Sequence, residues 1–210
     1  MIVVVDYGAG NLASVAKAVV SLGYQVRVTS SPKEVREASV VILPGVGAAG
    51  DAMANLNRLG LGEAIRQVVA EDRPFFGVCL GFQVLFSVSE EGGRHECLNI
   101  LPGVVKRLPP GLKIPHMGWN QVRLLAPHPL FGGIESGTNF YFVHSYYVEP
   151  ADRSVVVGKT DYGLSFCSVI ARGSLVATQF HPEKSGEVGL KLYDNFLRLS
   201  HSKKVGSRWM

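Results

Sequence analysis

The pattern of hydrophobic and polar residues predicts alternating strands and helices over the first part of the chain. Residues 1–5 form a continuous, mostly β-branched apolar run, which is typical of a parallel strand that is covered on both faces. Apolar residues then recur at helical spacing over 12–20, with Asn11 in the N-cap position and Gly23 placed to end the helix. Similar patterns predict further strands over 25–29, 39–43 and 74–79, and further helices over 32–37 and 51–70.

In the second half of the chain the pattern changes to short strands separated by turns. Pro109-Pro110-Gly111 and Asp161-Tyr162-Gly163 are two of the turn signals, and the stretch 165–170 alternates as a strand does. An apolar strand is predicted over 175–180, and helical spacing returns over 186–200. We therefore predict an α/β sandwich with a mostly parallel central sheet and antiparallel or mixed additions.

The composition is that of one globular domain. The 210 residues are 47% hydrophobic and 18% charged, which is enough to bury a full core. Part of the net charge of +4 lies in a basic tail, so we predict one domain over 1–200 and a tail over 201–210, with no role in nucleic-acid binding. No uncharged apolar run approaches the roughly 20 residues of a membrane span, and no leader is recognisable. We expect a cytoplasmic protein.

The number and spacing of the cysteines are not those of disulfide-rich or zinc-binding proteins. There are three of them, at positions 79, 97 and 167, and none is spaced as Cys-x-x-Cys. We expect neither a metal nor a cofactor. Cys97 and Cys167 are interpreted as ordinary buried side chains.

Cys79 is the candidate nucleophile. It lies in Gly77-Val78-Cys79-Leu80-Gly81, directly after a predicted strand and before a predicted helix. Glycines on both sides remove side chains that would collide where a strand turns sharply into a helix, and the helix amino end favours a thiolate. The alternative is that Cys79 is a small apolar residue of a buried strand.

His181-Pro182-Glu183 supplies a candidate base and its orienting carboxylate. His181 emerges at the end of an apolar strand, where Pro182 stops strand pairing, and Glu183 lies close enough in sequence to fold back to the imidazole. The alternative is a surface histidine that follows a strand.

Acyl chemistry also requires donors for an oxyanion. The segment Leu43-Pro44-Gly45-Val46-Gly47 follows a predicted buried strand, and its glycines allow the backbone to approach a ligand. We predict that one amide of this segment and the amide of Leu80 form an oxyanion hole. The spacing matches neither the dinucleotide-binding fingerprint nor the phosphate-binding P-loop.

These three motifs together resemble the triad, or class I, glutamine amidotransferases, whose fold is a flavodoxin-like three-layer α/β/α sandwich. Further segments are similar to the glutaminase subunits of imidazole glycerol phosphate synthases in particular, and the resemblance covers residues 1 to about 200. The segments are Asp6-Tyr7-Gly8-Ala9-Gly10-Asn11-Leu12, Pro115-His116-Met117-Gly118-Trp119-Asn120, Tyr141-Phe142-Val143-His144-Ser145-Tyr146 and Lys184-Ser185.

The resemblance implies a reaction and a substrate. Cys79 would attack the side-chain amide of L-glutamine, His181 would protonate the departing ammonia, and water would hydrolyse the γ-glutamyl thioester, with Glu183 orienting the imidazole. It also implies an oxyanion hole made by the amides of Gly47 and Leu80. The glutamine pocket that it implies is formed by Gly45, Gly47, Gln83, Glu91, His144, Ser145 and Tyr146.

The resemblance further implies a partner. In the family, ammonia crosses to a (β/α)8-barrel cyclase subunit, which makes imidazole glycerol phosphate and AICAR for histidine biosynthesis. The glutaminase stays weakly active until that partner binds its own substrate and the oxyanion segment rearranges. The chain is thus expected to form a heterodimer, with interface residues at Asn11, Trp119, Tyr141 and Lys184.

Other functions remain open at the level of the sequence. One is the glutaminase subunit of another ammonia-using synthase, such as pyridoxal phosphate synthase, although that likeness does not extend to the segment 115–120. Another is a cysteine hydrolase of the same fold, and a third is a non-catalytic binding module. Ala49 and Phe82 depart from the family pattern, in which phenylalanine and methionine are usual.

Overall fold

A parallel sheet of five strands forms the centre of the molecule. The computed structural model describes residues 1–202. The strand order in this part of the sheet is β2-β1-β3-β4-β13, and each neighbouring pair is parallel. The order 2-1-3-4-5 is that of flavodoxin-like folds. The strands are β1 (Ile2–Val5), β2 (Val26–Thr29), β3 (Val40–Leu43), β4 (Phe75–Val78) and β13 (Leu175–Thr178).

Helices cover both faces of the parallel sheet. Successive side chains of a strand point to opposite faces, so Val3 and Val5 join one apolar cluster while Ile2 and Val4 join another. The first cluster packs against α2, α3 and α4, and the second against α1 and α6. This is the predicted three-layer sandwich, which the structure confirms. The helices are α1 (Leu12–Ser21), α2 (Pro32–Glu37), α3 (Ala49–Arg58), α4 (Leu61–Ala70), α5 (Leu80–Gln83) and α6 (Gly186–Ser202).

Antiparallel strands extend the sheet beyond β13, as the turn-rich second half of the sequence predicts. β12 pairs with β13 and is followed by β10, β7, β5 and β6, of which β5 and β7 run parallel. A separate hairpin of β8 and β9 joins the sheet through β11. The strands are β5 (Val88–Ser89), β6 (His95–Glu96), β7 (Gly103–Arg107), β8 (His116–Leu124), β9 (Thr138–His144), β10 (Tyr146–Pro150), β11 (Val156–Asp161) and β12 (Ser165–Arg172).

The structure corrects two predictions on helices. The helix predicted over 51–70 is two helices, α3 and α4, because Gly60 between them has a left-handed backbone with φ of 67°. Asn11 precedes α1 as predicted, but its side chain makes no capping bond. The last helix extends to Ser202, and residues 203–210 of the predicted tail lie outside the described residues.

Across residues 1–202, no helix combines the length and the apolar character that crossing a bilayer requires.

Candidate active site

The site is built from loops at one edge of the parallel sheet. The loops after β1, β3, β4 and β13 all leave from the carboxyl ends of neighbouring parallel strands. In open α/β sheets this edge is where ligands bind. Four stretches that are far apart in sequence therefore meet: 6–11, 44–48, Cys79 and 181–185.

Cys79 sits in a strained turn between β4 and α5. Its backbone has φ of 54° and ψ of −109°, a combination that side-chain-bearing residues rarely adopt. A Cβ on Gly81 would lie 1.8 Å from the Leu43 carbonyl oxygen, and one on Gly77 would lie 2.9 Å from the Gly81 carbonyl oxygen. Only glycine fits at both positions, which is the physical reason for the Gly-x-Cys-x-Gly pattern.

His181 and Glu183 meet as their spacing predicts. The Nδ1 of His181 lies 2.7 Å from Oε1 of Glu183, and both side chains are almost completely buried. The carboxylate accepts two more hydrogen bonds, at 2.5 Å from the Asn11 amide to Oε1 and at 3.4 Å from the Tyr193 hydroxyl to Oε2. Nδ1 is therefore the protonated nitrogen that faces the carboxylate, and Nε2 faces the other way.

The charge of the His181 ring is coupled to that of Cys79. Burial alone lowers the pKa of His181, but the Cys79 thiolate and the Glu183 carboxylate outweigh burial and raise the pKa to about 10. Among the described residues, Nε2 of His181 makes no hydrogen bond of good geometry. The arrangement therefore favours the imidazolium form of His181, with its Nε2 available for proton transfer.

A cavity of about 230 Å³ opens beside Cys79. This is the size for an amino acid rather than for a larger cofactor. Gly45 of the predicted pocket does not line it, and a Cβ on Gly45 would clash with the Tyr7 hydroxyl, whereas the other predicted pocket residues line the cavity. The lining residues are Val46, Gly47, Cys79, Leu80, Gln83, Glu91, Pro115, Val143, His144, Ser145 and Tyr146.

One of the two predicted oxyanion donors is already occupied. The amide of Leu80 donates to the carbonyl of Gly45 at 3.3 Å. Gly47 has a left-handed backbone with φ of 97°, and Val46 and Gly47 separate the cavity beside Cys79 from a second cavity of about 430 Å³. The segment thus has space on both sides, and its Gly45 carbonyl occupies a donor that acyl chemistry needs.

Glu91 is held at the rim of the cavity by a helix amino end. Its carboxylate accepts a hydrogen bond of 2.7 Å from the amide of Ala49, the first residue of α3. A helix amino end favours negative charge, so this contact fixes the carboxylate where the cavity opens.

His144 and His116 form a buried chain of hydrogen bonds next to the cavity. Nδ1 of His144 lies 2.8 Å from the Tyr146 carbonyl, and its Nε2 lies 2.9 Å from Nδ1 of His116. The Asn120 amide lies 3.2 Å from Nε2 of His116 and donates to the Asp161 carbonyl at 3.0 Å. Because a carbonyl only accepts, Nδ1 of His144 donates to Tyr146 and the Asn120 NH2 group donates to Asp161 and to Nε2 of His116. Each ring therefore carries one proton, on Nδ1, and Nδ1 of His116 donates to Nε2 of His144. Burial lowers the pKa of His116 to about 4 and that of His144 to about 3.

Three of the four predicted interface residues lie together on one surface. The Trp119 side chain is exposed, its ring is 6.1 Å from the ring of Tyr141, and the Lys184 ammonium lies 6.0 Å from that same ring. The fourth, Asn11, is only partly exposed and points to Glu183. Asn11 thus contacts the buried carboxylate of the residue that precedes Lys184 in the sequence.

Cys97 and Cys167 are free, buried thiols, as their sequence setting predicts. Burial raises the pKa of Cys97 to about 11 and that of Cys167 to about 12. Both are therefore unreactive thiols at neutral pH. Within residues 1–202, no group of three or more His, Cys, Asp or Glu side chains is placed to hold a metal ion.

Sequence reasoning missed several residues of the site. Tyr193 reaches Glu183 from α6, and the Gln179 side chain lies against Cys79. The Ser185 hydroxyl donates to the His181 carbonyl at 2.7 Å and accepts from the Tyr141 amide at 3.0 Å, which ties β9 to the turn that carries His181. A polar residue within the apolar run 175–180 is the one signal that would have drawn attention to Gln179.

Comparison with known proteins agrees with this geometry. Residues 3–199 match the class-I glutamine amidotransferase family. The chain belongs to this family. A crystal structure of a glutamine amidotransferase superposes with a TM-score of 0.76 at 19% identity, over 96% of this chain and 100% of that one. The structure of PurLQS from Thermotoga maritima gives 0.75 at 19% identity, over 94% and 97% of the two chains. At this identity the two structures bear on the fold alone.

Sequence relatives narrow the assignment to imidazole glycerol phosphate synthase subunit HisH proteins. The protein of that name from Dehalococcoides mccartyi strain CBDB1 is 58% identical over 200 residues, covering 95% of this chain and 98% of the relative. That from Moorella thermoacetica is 58% identical over 195 residues, with 93% of each chain covered. That from Chloroflexus aurantiacus is 50% identical over 206 residues, with 96% and 97% covered. The resemblance found from the motifs is confirmed.

Proposed function

We propose that the chain is the glutaminase subunit of an imidazole glycerol phosphate synthase. It hydrolyses L-glutamine to glutamate and ammonia and passes the ammonia to a cyclase subunit. The observation that carries the proposal is the placement of Cys79 and the His181–Glu183 pair on neighbouring parallel strands, beside a cavity of amino-acid size. Full-length relatives with the HisH name support the choice of acceptor enzyme.

The first half of the reaction forms a thioester. The Cys79 thiolate attacks the side-chain carbonyl carbon of glutamine, so that a bond between sulfur and carbon forms and the carbonyl electrons move onto oxygen. The tetrahedral intermediate then collapses. The bond to nitrogen breaks, and His181 Nε2 delivers the proton that lets ammonia leave.

The second half of the reaction regenerates the enzyme. The imidazole, now neutral at Nε2, accepts a proton from water as the water attacks the thioester carbon. The carbon–sulfur bond breaks, glutamate leaves, and the sulfur returns to the thiolate beside an imidazolium. Glu183 supports each step because its carboxylate accepts the hydrogen bond from Nδ1–H of His181 and stabilises the positive charge of the ring.

Hydrolysis requires the oxyanion segment to rearrange. The oxyanion of each tetrahedral intermediate needs backbone donors, and the Leu80 amide is engaged with the Gly45 carbonyl. The space on both sides of Val46 and Gly47 and the left-handed Gly47 support a movement that turns the Gly45 carbonyl away. Coupling this movement to the partner would keep ammonia from being made before an acceptor is present.

The partner is a (β/α)8-barrel cyclase subunit, and the complex is a heterodimer in the cytoplasm. The cyclase uses the ammonia to form imidazole glycerol phosphate and AICAR in histidine biosynthesis. The exposed Trp119 ring, with the Tyr141 ring and the Lys184 ammonium beside it, supports an interface at this surface, because tryptophan and tyrosine are typical interface anchors. Asn11 lies next to this surface and contacts the buried Glu183 carboxylate.

The deciding experiment measures glutamine hydrolysis by the purified chain alone, with the cyclase subunit, and with the cyclase subunit plus its nucleotide ligand. We expect weak activity alone and an increase of about 10²-fold or more in the full complex. Cys79→Ala removes the nucleophile and should abolish activity, whereas Cys97→Ala is the matched control and should not. Equal activity with and without the partner contradicts the proposed coupling, and activity in Cys79→Ala contradicts the mechanism.

A further inference from the structure

A buried amide side chain lies against the sulfur of Cys79. Gln179 follows β13 directly, is fully buried, and places its Nε2 3.8 Å from Cys79 Sγ. Sulfur is larger than oxygen, so an N–H group at this distance still donates to it. The main chain of Gln179 is anchored as well, because its amide donates to the Ser168 carbonyl at 2.9 Å.

The orientation of this amide is fixed by Gln83. The Gln83 Nε2 lies 2.9 Å from the Tyr146 carbonyl, which only accepts, so the NH2 group of Gln83 is on that side. The same NH2 group donates to Oε1 of Gln179 at 3.1 Å. Turning the Gln179 amide over would set two donors against each other and an oxygen against the sulfur. Gln179 therefore presents N–H, and not oxygen, to Cys79.

Besides the His181 ring, the sulfur of Cys79 contacts one group suited to each of its protonation states. The Val143 carbonyl oxygen lies 3.8 Å from Sγ on another side and accepts from a thiol S–H. An N–H donor such as that of Gln179 favours the thiolate, since hydrogen bonds to a charged acceptor are about twice as strong as those between neutral groups.

We propose that Gln179 is a further catalytic residue of this site: its side-chain N–H, oriented by Gln83, donates to the Cys79 sulfur when that sulfur is negative. It acts when the thiolate attacks and again when the carbon–sulfur bond of the thioester breaks and the electron pair returns to sulfur. Gln83 is the positioning residue for this donor. The proposal rests on the proposed thioester chemistry of Cys79.

This placement predicts which kinetic constant depends on Gln179. Among the described residues that line the cavity Gln83 is present and Gln179 is not, so glutamine binding does not involve Gln179. We expect Gln179→Met, similar in length and without a donor, to lower kcat about 10- to 100-fold in the complex with the cyclase. KM for glutamine should stay within about twofold, because an interaction lost in the chemical step alone lowers kcat without weakening substrate binding.

The decisive measurement is alkylation of Cys79 by iodoacetamide as a function of pH, which needs no glutamine and no partner. For Gln179→Met the midpoint of the alkylation rate should move to higher pH by about one unit, and for Gln179→Glu by more, because a carboxylate would face the sulfur. Gln25→Glu is the charge-matched control, since Gln25 is exposed and precedes β2 far from the site. It should leave the profile unchanged.

Two results would overturn the proposal. One is a pair of folded variants that melt at a lower temperature but keep the wild-type alkylation profile and kcat, which is the signature of a packing role only. The other comes from the unmutated protein, which avoids the risk of variants that do not fold. The chain has five glutamines, so their 15N side-chain amide resonances are tractable by NMR. The Gln179 resonance should shift when Cys79 ionises, and a resonance that does not respond contradicts the proposal.

The two proposals fail in different ways. If the wild-type complex hydrolyses no glutamine while the alkylation profile shifts in Gln179→Met, the proposed function is wrong and Gln179 still supports a reactive thiol. If the complex is active and alkylation is indifferent to Gln179, the function stands and this inference does not.

Discussion

Two buried histidine sites lie close to each other in the molecule, and their surroundings shift the pKa in opposite directions. At the first, His181 faces the Glu183 carboxylate and the Cys79 thiolate, and its pKa is raised. At the second, the hydrogen bonds of His144 and His116 join them to each other, to the Asn120 amide and to the Tyr146 carbonyl, and burial lowers the pKa of both rings. Burial is common to the two sites, so the neighbouring partners decide which ring is charged.

The difference in ring charge suits the two sites to different roles. A ring that is positive beside a thiolate is ready to deliver a proton. A pair of neutral rings with a fixed order of donors and acceptors holds the wall of the cavity in place, since protonating either ring sets two donors against each other.

The largest effect is expected when the negative charge of Glu183, which distinguishes the first site, is removed. Glu183→Gln keeps the shape but loses the negative partner of His181, so we expect kcat for glutamine hydrolysis in the complex to fall by about 10²- to 10⁴-fold. Glu187→Gln, at an exposed position in the first turn of α6, is the matched control and should be near wild type. Steady-state glutaminase assays separate the two, and a fall of less than about threefold in Glu183→Gln would show that the carboxylate is not needed.

The second test uses the pH dependence of stability. An unfolded histidine titrates near 6.5, whereas His116 and His144 in the folded chain titrate near 4 and near 3. The unfolded state therefore binds protons first as the pH falls, and the free energy of unfolding should decrease from about pH 6.5 to about pH 3, by on the order of 3–5 kcal/mol for each ring. For His181 the raised pKa has the opposite effect: its contribution is complete below about pH 6.5 and is lost as the pH rises towards its folded pKa.

Urea unfolding at a series of pH values measures both limbs. A double variant, His116→Phe with His144→Leu, should have a shallower acid limb than the wild type, and its alkaline limb should be unchanged. Parallel acid limbs in the two proteins would mean that the histidine pair is not neutral when buried.

The third test gives the second site the kind of partner that the first one has. Asn120→Asp places a carboxylate beside Nε2 of His116, so the pKa of that ring should rise by about 1–2 units in an NMR titration of the imidazoles. The free energy of unfolding at neutral pH should fall by about 1–2 kcal/mol, because the hydrogen bond to the Asp161 carbonyl is lost. Asn139→Asp, exposed on β9, is the control that adds the same charge without touching the pair. An unchanged His116 titration would show that burial alone sets its pKa.

The smallest test compares two buried tyrosine hydroxyls. Tyr193 donates to Glu183, whereas the hydroxyl of Tyr7 is buried without a hydrogen-bonding partner among the described residues. Tyr193→Phe should lower the free energy of unfolding by about 1 kcal/mol, and Tyr7→Phe should leave it unchanged or raise it by up to about 1 kcal/mol. Denaturant midpoints measure both. A loss in Tyr7→Phe as large as in Tyr193→Phe would contradict the assignment.

Much of the fold was predictable because its causes are local. A continuous run such as 1–5 has no polar face to expose, so it belongs between two layers, and the structure places it there. The helix break at Gly60 was not predictable, because the apolar spacing continues across it and a single glycine is tolerated within helices. The capping role predicted for Asn11 was wrong, since its amide has a charged acceptor 172 residues away.

The parts of the site likewise differ in how far the sequence could predict them. The elbow at Cys79 and the His181–Glu183 contact depend on residues within a few positions of each other, so spacing and steric limits were enough to propose them. The pairing of His116 with His144 depends on the register between β8 and β9, which places the two residues opposite each other. The contacts of Gln179 with Cys79 and Gln83 depend on the pairing of β13 with β4 and on the position of α5.

The sequence by itself determined the alternation of strands and helices in the first part of the chain, the sharp turn that presents a thiol, and the family to which the chain belongs. These follow from periodicity, from the room that glycine leaves, and from motifs a few residues long. Only the tertiary structure decided which amides and carbonyls face which, and so which histidines are charged and which nitrogen points at the sulfur. Hydrogen bonds have a direction that neighbours from distant segments impose, and burial makes a wrong direction too costly to persist.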